Sequence, residues 1–257
     1  MEPARHLEIL RTEGARIAAL PVDALNEAIP TNPEWDIERL VRHVGKVHRW
    51  CTAALALPAD AAMADTGPID GLPKGPDCLP AYAEAHHALV AAIEASDPDD
   101  AKVTFMGPGD VAWWTRRQAL EVVVHRVDAQ DAVAVAGGPS VDAIDVDAAA
   151  DGIDEWARFF LAVRWSQRFG ALPAELVGRS IHIHGTDDPD PIDGAEWLLA
   201  FGPDGIDVTA THAKGDVALR GSTHDLLLTL WRRRPLDTLD VIGDADLAAQ
   251  VLDLARF

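Results

Sequence analysis

Apolar residues recur three and four positions apart through the first two thirds of the chain, then at every second position in much of the remainder. Leu7, Leu10, Ile17 and Leu20 mark a helix over 3–20 that Pro21 stops. Leu40, Val44, Val47 and Cys51 mark a second over 37–57, behind the breaker IPTNPEWD, with Asp36 or Thr31 as its cap. A loop rich in Pro, Gly and Asp runs over 58–80 before a third helix at 82–95. KVTFMGPGD is a short extended piece leading into a fourth helix at 111–136, and GGPS turns the chain into a fifth at 146–169. Beyond GALPAELVG the period becomes two. SIHIHGTD, EWLLAFGPDG, IDVTATHAKG and DVALRG read as strands, and STHDLLLTLWRRR as a helix capped by Ser222 or Thr223. TLDVIGD reads as a fifth strand, and ADLAAQVLDLARF closes the chain as a helix. The pattern predicts an α+β protein of two domains: an antiparallel helical bundle over 1–168 and a small α/β sheet domain over 175–257.

Composition narrows the classes of partner. The 257 residues are 48% hydrophobic, enough for a sizeable core, and the formal net charge is −20. Such an excess of carboxylates repels phosphate, which argues against a nucleic acid or an anionic membrane as partner. The N-terminal stretch is charged and amphipathic, unlike a secretory signal, and no run of about 18 apolar residues could span a bilayer. The two cysteines, Cys51 and Cys78, lack metal-type spacing, and Cys51 falls on an apolar stripe. A cytoplasmic protein with free thiols is expected. Oligomeric state leaves no trace in the sequence.

The chemistry concentrates in QALEVVVHRVDA, residues 118–129. Glu121 and His125 stand one helical turn apart, with Trp114 and Gln118 before them on the same face and Asp128 after. The apolar stripe of Trp113, Leu120, Val124 and Val127 lies alongside, so a carboxylate and an imidazole meet the rim of a buried surface. A carboxylate there must be paired or hold a cation. The spacing suits chelation of a divalent ion if another element adds a third ligand. Periodicity offers His43, His48, His86, His87 or Asp128 without choosing among them, and a plain Glu/His hydrogen bond would satisfy both groups without metal. His182 and His184 alternate along a strand and share one face, which allows a second metal pair, though such histidines are more often simply exposed. HAKGD, 212–216, reads as a turn, and Trp197 and Trp231 as core. Arg116 and Arg126 are assigned to a solvated or salt-bridged face.

Two motifs extend this picture. PEWDIERLVRHVGKVHRW and WWTRRQALEVVVHRVDA resemble the paired N-terminal motifs of the mycothiol-dependent maleylpyruvate isomerase family, and HIHGTD, AEW, HAKGDVALRG and LLLTLWRRRP resemble its C-terminal domain. The resemblance implies a DinB-like four-helix bundle, with an added helix, followed by a small α/β domain. Carried over by position, it implies metal ligands at His43, Glu121 and His125, with His48 a recurring motif residue that is not a ligand. It implies a divalent metal, zinc first, although N/O sites accept several ions. Two His and one Glu leave a fourth tetrahedral position open, as in catalytic zinc sites. The family's thiol is mycothiol, and its substrate a small electrophile. The implied reaction is conjugate addition of thiolate to an activated double bond, followed by rotation and elimination in an isomerase, or by release of the adduct in an S-transferase. The enolate-like charge that develops needs a cation. Arg117, on the ligand helix, and Arg233, which best matches an arginine following a Trp-Gly pair in the family, are the candidates. In this chain Arg232 takes the place of that glycine, and charge at a helix C-terminus also accounts for Arg232, Arg233 and Arg234. Arg233, Trp114 and Gln118 are the candidate contacts for mycothiol. Where the family often has His-Glu-Thr-Ala, this chain has Leu120, Glu121, Val122 and Val123, which keeps the ligand and alters the polarity around it. A zinc-dependent hydrolase on the same bundle, and a non-catalytic binding or regulatory protein, are the alternatives.

Overall fold

The computed structural model describes residues 1–163, 165, 167, 170–187 and 195–255. Two compact units divide between Asp142 and Ala143. The break falls ahead of the fifth helix, which the sequence pattern groups with the helical half.

The first unit is a four-helix bundle: α1 (Pro3–Ala18), α2 (Ile37–Leu55), α3 (Cys78–Glu94) and α4 (Val111–Val135). Helix α1 packs on α4 and α3, and α2 packs on α3 and α4. The expected stripe residues Leu10, Ile17, Leu40, Val44, Cys51 and Val127 are buried, each large side chain contributing about 1.5–3 kcal/mol. Helix α3 begins earlier than expected because Pro80 sits in its first turn, where a missing N–H breaks no helical hydrogen bond. Gly14 costs α1 helical propensity but lets α3 approach, since a Cβ there would stand 2.2 Å from Cε1 of His86.

Two hairpins lead into the helices that matter most. β1 (Ala28–Ile29) and β2 (Asn32–Asp36) pair antiparallel ahead of α2, and β3 (Ala101–Thr104) and β4 (Gly107–Asp110) do so ahead of α4. The pattern shows only a chain break and an extended piece there, because such strands are too short for alternation to register. Each hairpin ends on an aspartate cap: Asp36 accepts from the Arg39 N–H and Asp110 from the Trp113 N–H, both at 2.7 Å. Arg126, expected on an outer face, is buried. Its Nε donates to Glu13 at 2.5 Å and its Nη1 to the Asp142 carbonyl at 2.6 Å, so the salt-bridged part of that expectation holds and the solvated part does not.

The second unit opens with α5 (Val146–Glu155), which continues as a π-helical stretch, Trp156–Val163. The remainder of the expected fifth helix, to 169, lies largely outside the described residues. The five expected strands are present as β5 (Ser180–Gly185), β6 (Glu196–Gly202), β7 (Gly205–Thr209), β8 (Val217–Gly221) and β9 (Asp240–Gly243). They form one sheet in the order β7-β6-β5-β8-β9, parallel between β5 and β8 and antiparallel elsewhere. Helices α6 (Thr223–Leu230) and α7 (Ala245–Leu254) complete the unit, and α6 packs on α5. Ser222, one of the two expected caps, accepts from the Asp225 N–H at 3.0 Å. Trp197 is core, whereas Trp231 is only half-buried, its ring edge-on to Phe160 at 4.7 Å. Among the described residues no helix is long and apolar enough to cross a membrane.

After α6 the backbone turns through a left-handed residue. Arg232 has φ 63°, and the Arg233 N–H reaches back to the Leu228 carbonyl at 2.7 Å. Glycine takes this conformation without strain, whereas arginine is disfavoured there by roughly 1 kcal/mol. The exposed contact between Arg232 and Asp253 offsets only a few tenths of that, roughly. Arg232→Gly is therefore expected to raise stability by about 0.5–1 kcal/mol, read as a higher urea midpoint at unchanged slope.

Candidate metal centre

Helices α2 and α4 pack side by side and carry three ligand-type side chains to one point. His43 Nε2 lies 3.5 Å from Glu121 Oε1, and His125 Nε2 lies 3.3 Å from the same oxygen. Two atoms bonded to a zinc ion at 2.0–2.1 Å and the tetrahedral angle stand about 3.3–3.4 Å apart. Both imidazole-to-carboxylate separations are close to that value, and one ligand atom from each of the three residues lies within 4.8 Å of the others. The imidazoles meet edge-on, 5.4 Å between centroids.

The other candidates for third ligand are placed elsewhere. His48 is fully buried against Tyr82 and His86, with no hydrogen-bond partner for either ring nitrogen among the described residues. Burial, with His86 nearby, pushes its pKa down to about 3, so it stays neutral. His86 is buried beside it, and His87 is exposed. Asp128 meets the far nitrogen of His125, its Oδ2 3.1 Å from Nδ1. That contact fixes the tautomer that leaves Nε2 free to ligate, a role the i, i+3 spacing could have suggested.

The carboxylate of Glu121 is divided between two duties. Oε1 faces the imidazoles, while Oε2 accepts from Arg117 Nη2 at 2.5 Å. Burial alone would raise its pKa, but Arg117, His125 and His43 outweigh that and hold it well below the usual carboxylate range. Burial likewise disfavours the His125 imidazolium, yet Asp128 and Glu121 lift its pKa to about 9. Arg117 is thus turned onto the Glu121 carboxylate one turn away. A largely buried glutamate within its reach accounts for that pairing.

Two expected mycothiol contacts are enclosed. Trp114 is wholly buried among Trp50, Phe105 and Trp113, its indole N–H donated to the Val103 carbonyl at 3.0 Å. Gln118 is 2% exposed. Helix α4 is covered around nearly its whole circumference near the site, so residues flanking the apolar stripe are shut in with it. Trp35, from β2, instead borders the half-exposed His43, ring to ring at 5.1 Å. No local signal marks it as a site residue, because its place depends on the hairpin. Arg233 belongs to the second unit, where its Nη1 donates to the Trp231 carbonyl at 2.9 Å. Cys51 and Cys78 are free and buried, and burial pushes both thiols up, Cys78 to about 11. Neither supplies a thiolate at neutral pH.

Residues 7–130 match the family model of the mycothiol maleylpyruvate isomerase N-terminal domain, and residues 147–250 match that of the MDMPI C-terminal domain. The chain belongs to the mycothiol-dependent maleylpyruvate isomerase family. Two crystal structures carry the same fold. A point mutant of the mycothiol-dependent maleylpyruvate isomerase aligns with TM-score 0.59 at 12% identity, and the mycothiol-dependent maleylpyruvate isomerase itself with 0.57 at 13%. Each alignment covers 94% of this chain and 93% of the other. No curated protein matches in sequence. In this member of the family all three convergent side chains fall within the N-terminal domain match.

A metal ion entering here must displace the proton held by His125. Apparent zinc affinity is expected to rise by about tenfold per pH unit from pH 6 to 8 and to level off near 9. Calorimetric titration of the chelator-treated protein across that range measures it.

Proposed function

We propose that this chain is a metal-dependent enzyme that uses mycothiol to act on a small electrophile, as a maleylpyruvate-isomerase-like cis–trans isomerase or a thiol S-transferase. The observation that carries the proposal is that His43 Nε2 and His125 Nε2 both stand 3.3–3.5 Å from Glu121 Oε1, in a group whose ligand atoms lie within 4.8 Å of one another. A divalent ion held by those atoms, zinc first, supplies Lewis acidity that brings a coordinated thiol's pKa down from about 8.5. Glu121 contributes one negative charge from Oε1 while Arg117 neutralises Oε2. Asp128 orients His125, and the half-exposed edge at His43 is where small molecules reach the site. The thiol must come from outside, because Cys51 and Cys78 are buried and protonated. The family membership supplies mycothiol as its source and maleylpyruvate as the type substrate.

The test is turnover of maleylpyruvate by zinc-loaded protein with and without mycothiol. Turnover is expected only with the thiol, and His43→Ala should lower both bound zinc and kcat, the latter by 10²-fold or more, roughly. Thiol-independent turnover of an ester or amide would instead indicate a hydrolase that activates water. Activity indifferent to both mycothiol and His43→Ala overturns the proposal. Arg233→Ala is expected to lower kcat by roughly 10²-fold at unchanged metal content, if Arg233 steadies the developing negative charge.

A further inference from the structure

A second group of ligand-type side chains lies wholly within the second unit. His182 and His184 alternate along β5, and the antiparallel register sets Glu196 of β6 directly opposite His184. The connection from β7 to β8 brings in His212. Glu196 Oε2 lies 2.9 Å from His182 Nε2 and 2.6 Å from His212 Nδ1, and its Oε1 lies 2.9 Å from His184 Nδ1. All four ligand atoms fall within 4.8 Å of one another. The three rings stand 5.5–6.1 Å apart at interplanar angles of 72–88°, edge-on and not stacked. Three of the unit's four histidines are gathered on one carboxylate. The fourth, His224, caps the Ile144 N–H through Nδ1.

We propose that His182 Nε2, His184 Nδ1, His212 Nδ1 and a Glu196 oxygen form a second divalent-metal site, for zinc or another imidazole-preferring transition ion. Three imidazoles and a carboxylate are an N/O donor set suited to such ions. Three neutral rings, one carboxylate and a divalent ion sum to a single positive charge, which relieves a carboxylate that is only 10% exposed. Four protein ligands make a closed site, so its role is structural: it fastens the β7–β8 connection to the sheet through His212. An ion at the centre opens the contacts to Glu196 to about 3.3 Å. His212, 79% exposed and on a loop, gives that movement. A pocket of about 520 Å³ beside His182 and His212, reaching Lys214 and Asp216, is the access route.

The full chain, stripped with chelator and re-equilibrated with zinc, is to be weighed for bound metal after gel filtration. Wild type is expected to hold two equivalents. His184→Ala/His212→Ala and the near-isosteric Glu196→Gln should each lose one while keeping their far-ultraviolet dichroism. His43→Ala should lose the other. Zinc should raise the melting temperature of His43→Ala by several degrees and leave that of the triple variant, His43→Ala with both second-unit substitutions, unmoved. Cobalt(II) in His43→Ala should give the visible absorption of a tetrahedral site. Zinc content that is the same in wild type and in both second-unit variants would overturn the proposal, leaving the cluster as a hydrogen-bonded network. One equivalent that survives His43→Ala but vanishes in the second-unit variants would support it while removing the metal from the bundle, so the two sites are judged separately.

Discussion

A carboxylate largely withdrawn from water cannot stand alone, and the bundle is arranged around that constraint at Glu121. An unpaired charge there would be costly enough to protonate the group or open the packing. The chain meets the constraint by splitting the carboxylate: Arg117 takes one oxygen from a turn away on the same helix, and two imidazoles face the other. Only the second face borders solvent, at the half-exposed His43, because Arg117 is itself buried. The same pairing therefore leaves Oε1 turned toward the two imidazoles.

Precision at that point comes from elements remote from it. His43 must reach across from α2, so the start of α2 and the start of α4 have to be fixed relative to one another. Each helix is preceded by a two-stranded hairpin whose last residue, Asp36 or Asp110, is its cap. Behind α4, Glu13 of α1 receives Arg126, a buried ion pair that ties a third helix to the ligand helix from its other side. Asp128 holds the His125 ring in one orientation. Ligand side chains set on rigid helices with hydrogen-bonded supports are what a metal site of defined geometry requires.

The second unit poses the same problem in a sheet. Glu196 is mostly buried and meets it with three imidazoles and, among the described residues, no arginine. Two of those imidazoles come from the pleat of one strand and one from a loop, so the cluster joins a fixed face to a movable connection.

Much of this was legible in the sequence because its signals are local. The bundle helices, the five strands and their order along the chain come from periods of 3.6 and 2, and the Glu121/His125 pair from one turn of helix. Aspartate and serine caps were readable for the same reason. Residues whose role depends on a partner far along the chain were not. Nothing near His43 distinguishes it from His48 by spacing; the packing of α2 on α4 decides that one faces Glu121 and the other is sealed against Tyr82. Trp114 and Gln118 share the ligand face on a helical wheel, yet the neighbouring elements enclose them. Glu196 and His212 joined His182 and His184 only once strand register was set. The sequence by itself determined which side chains could bind an ion and where each element runs, since those are properties of neighbouring residues. Tertiary structure alone decided which of them meet, because convergence is a matter of how faces pack, and a shift of one helical position or one strand register sends a side chain to the other side.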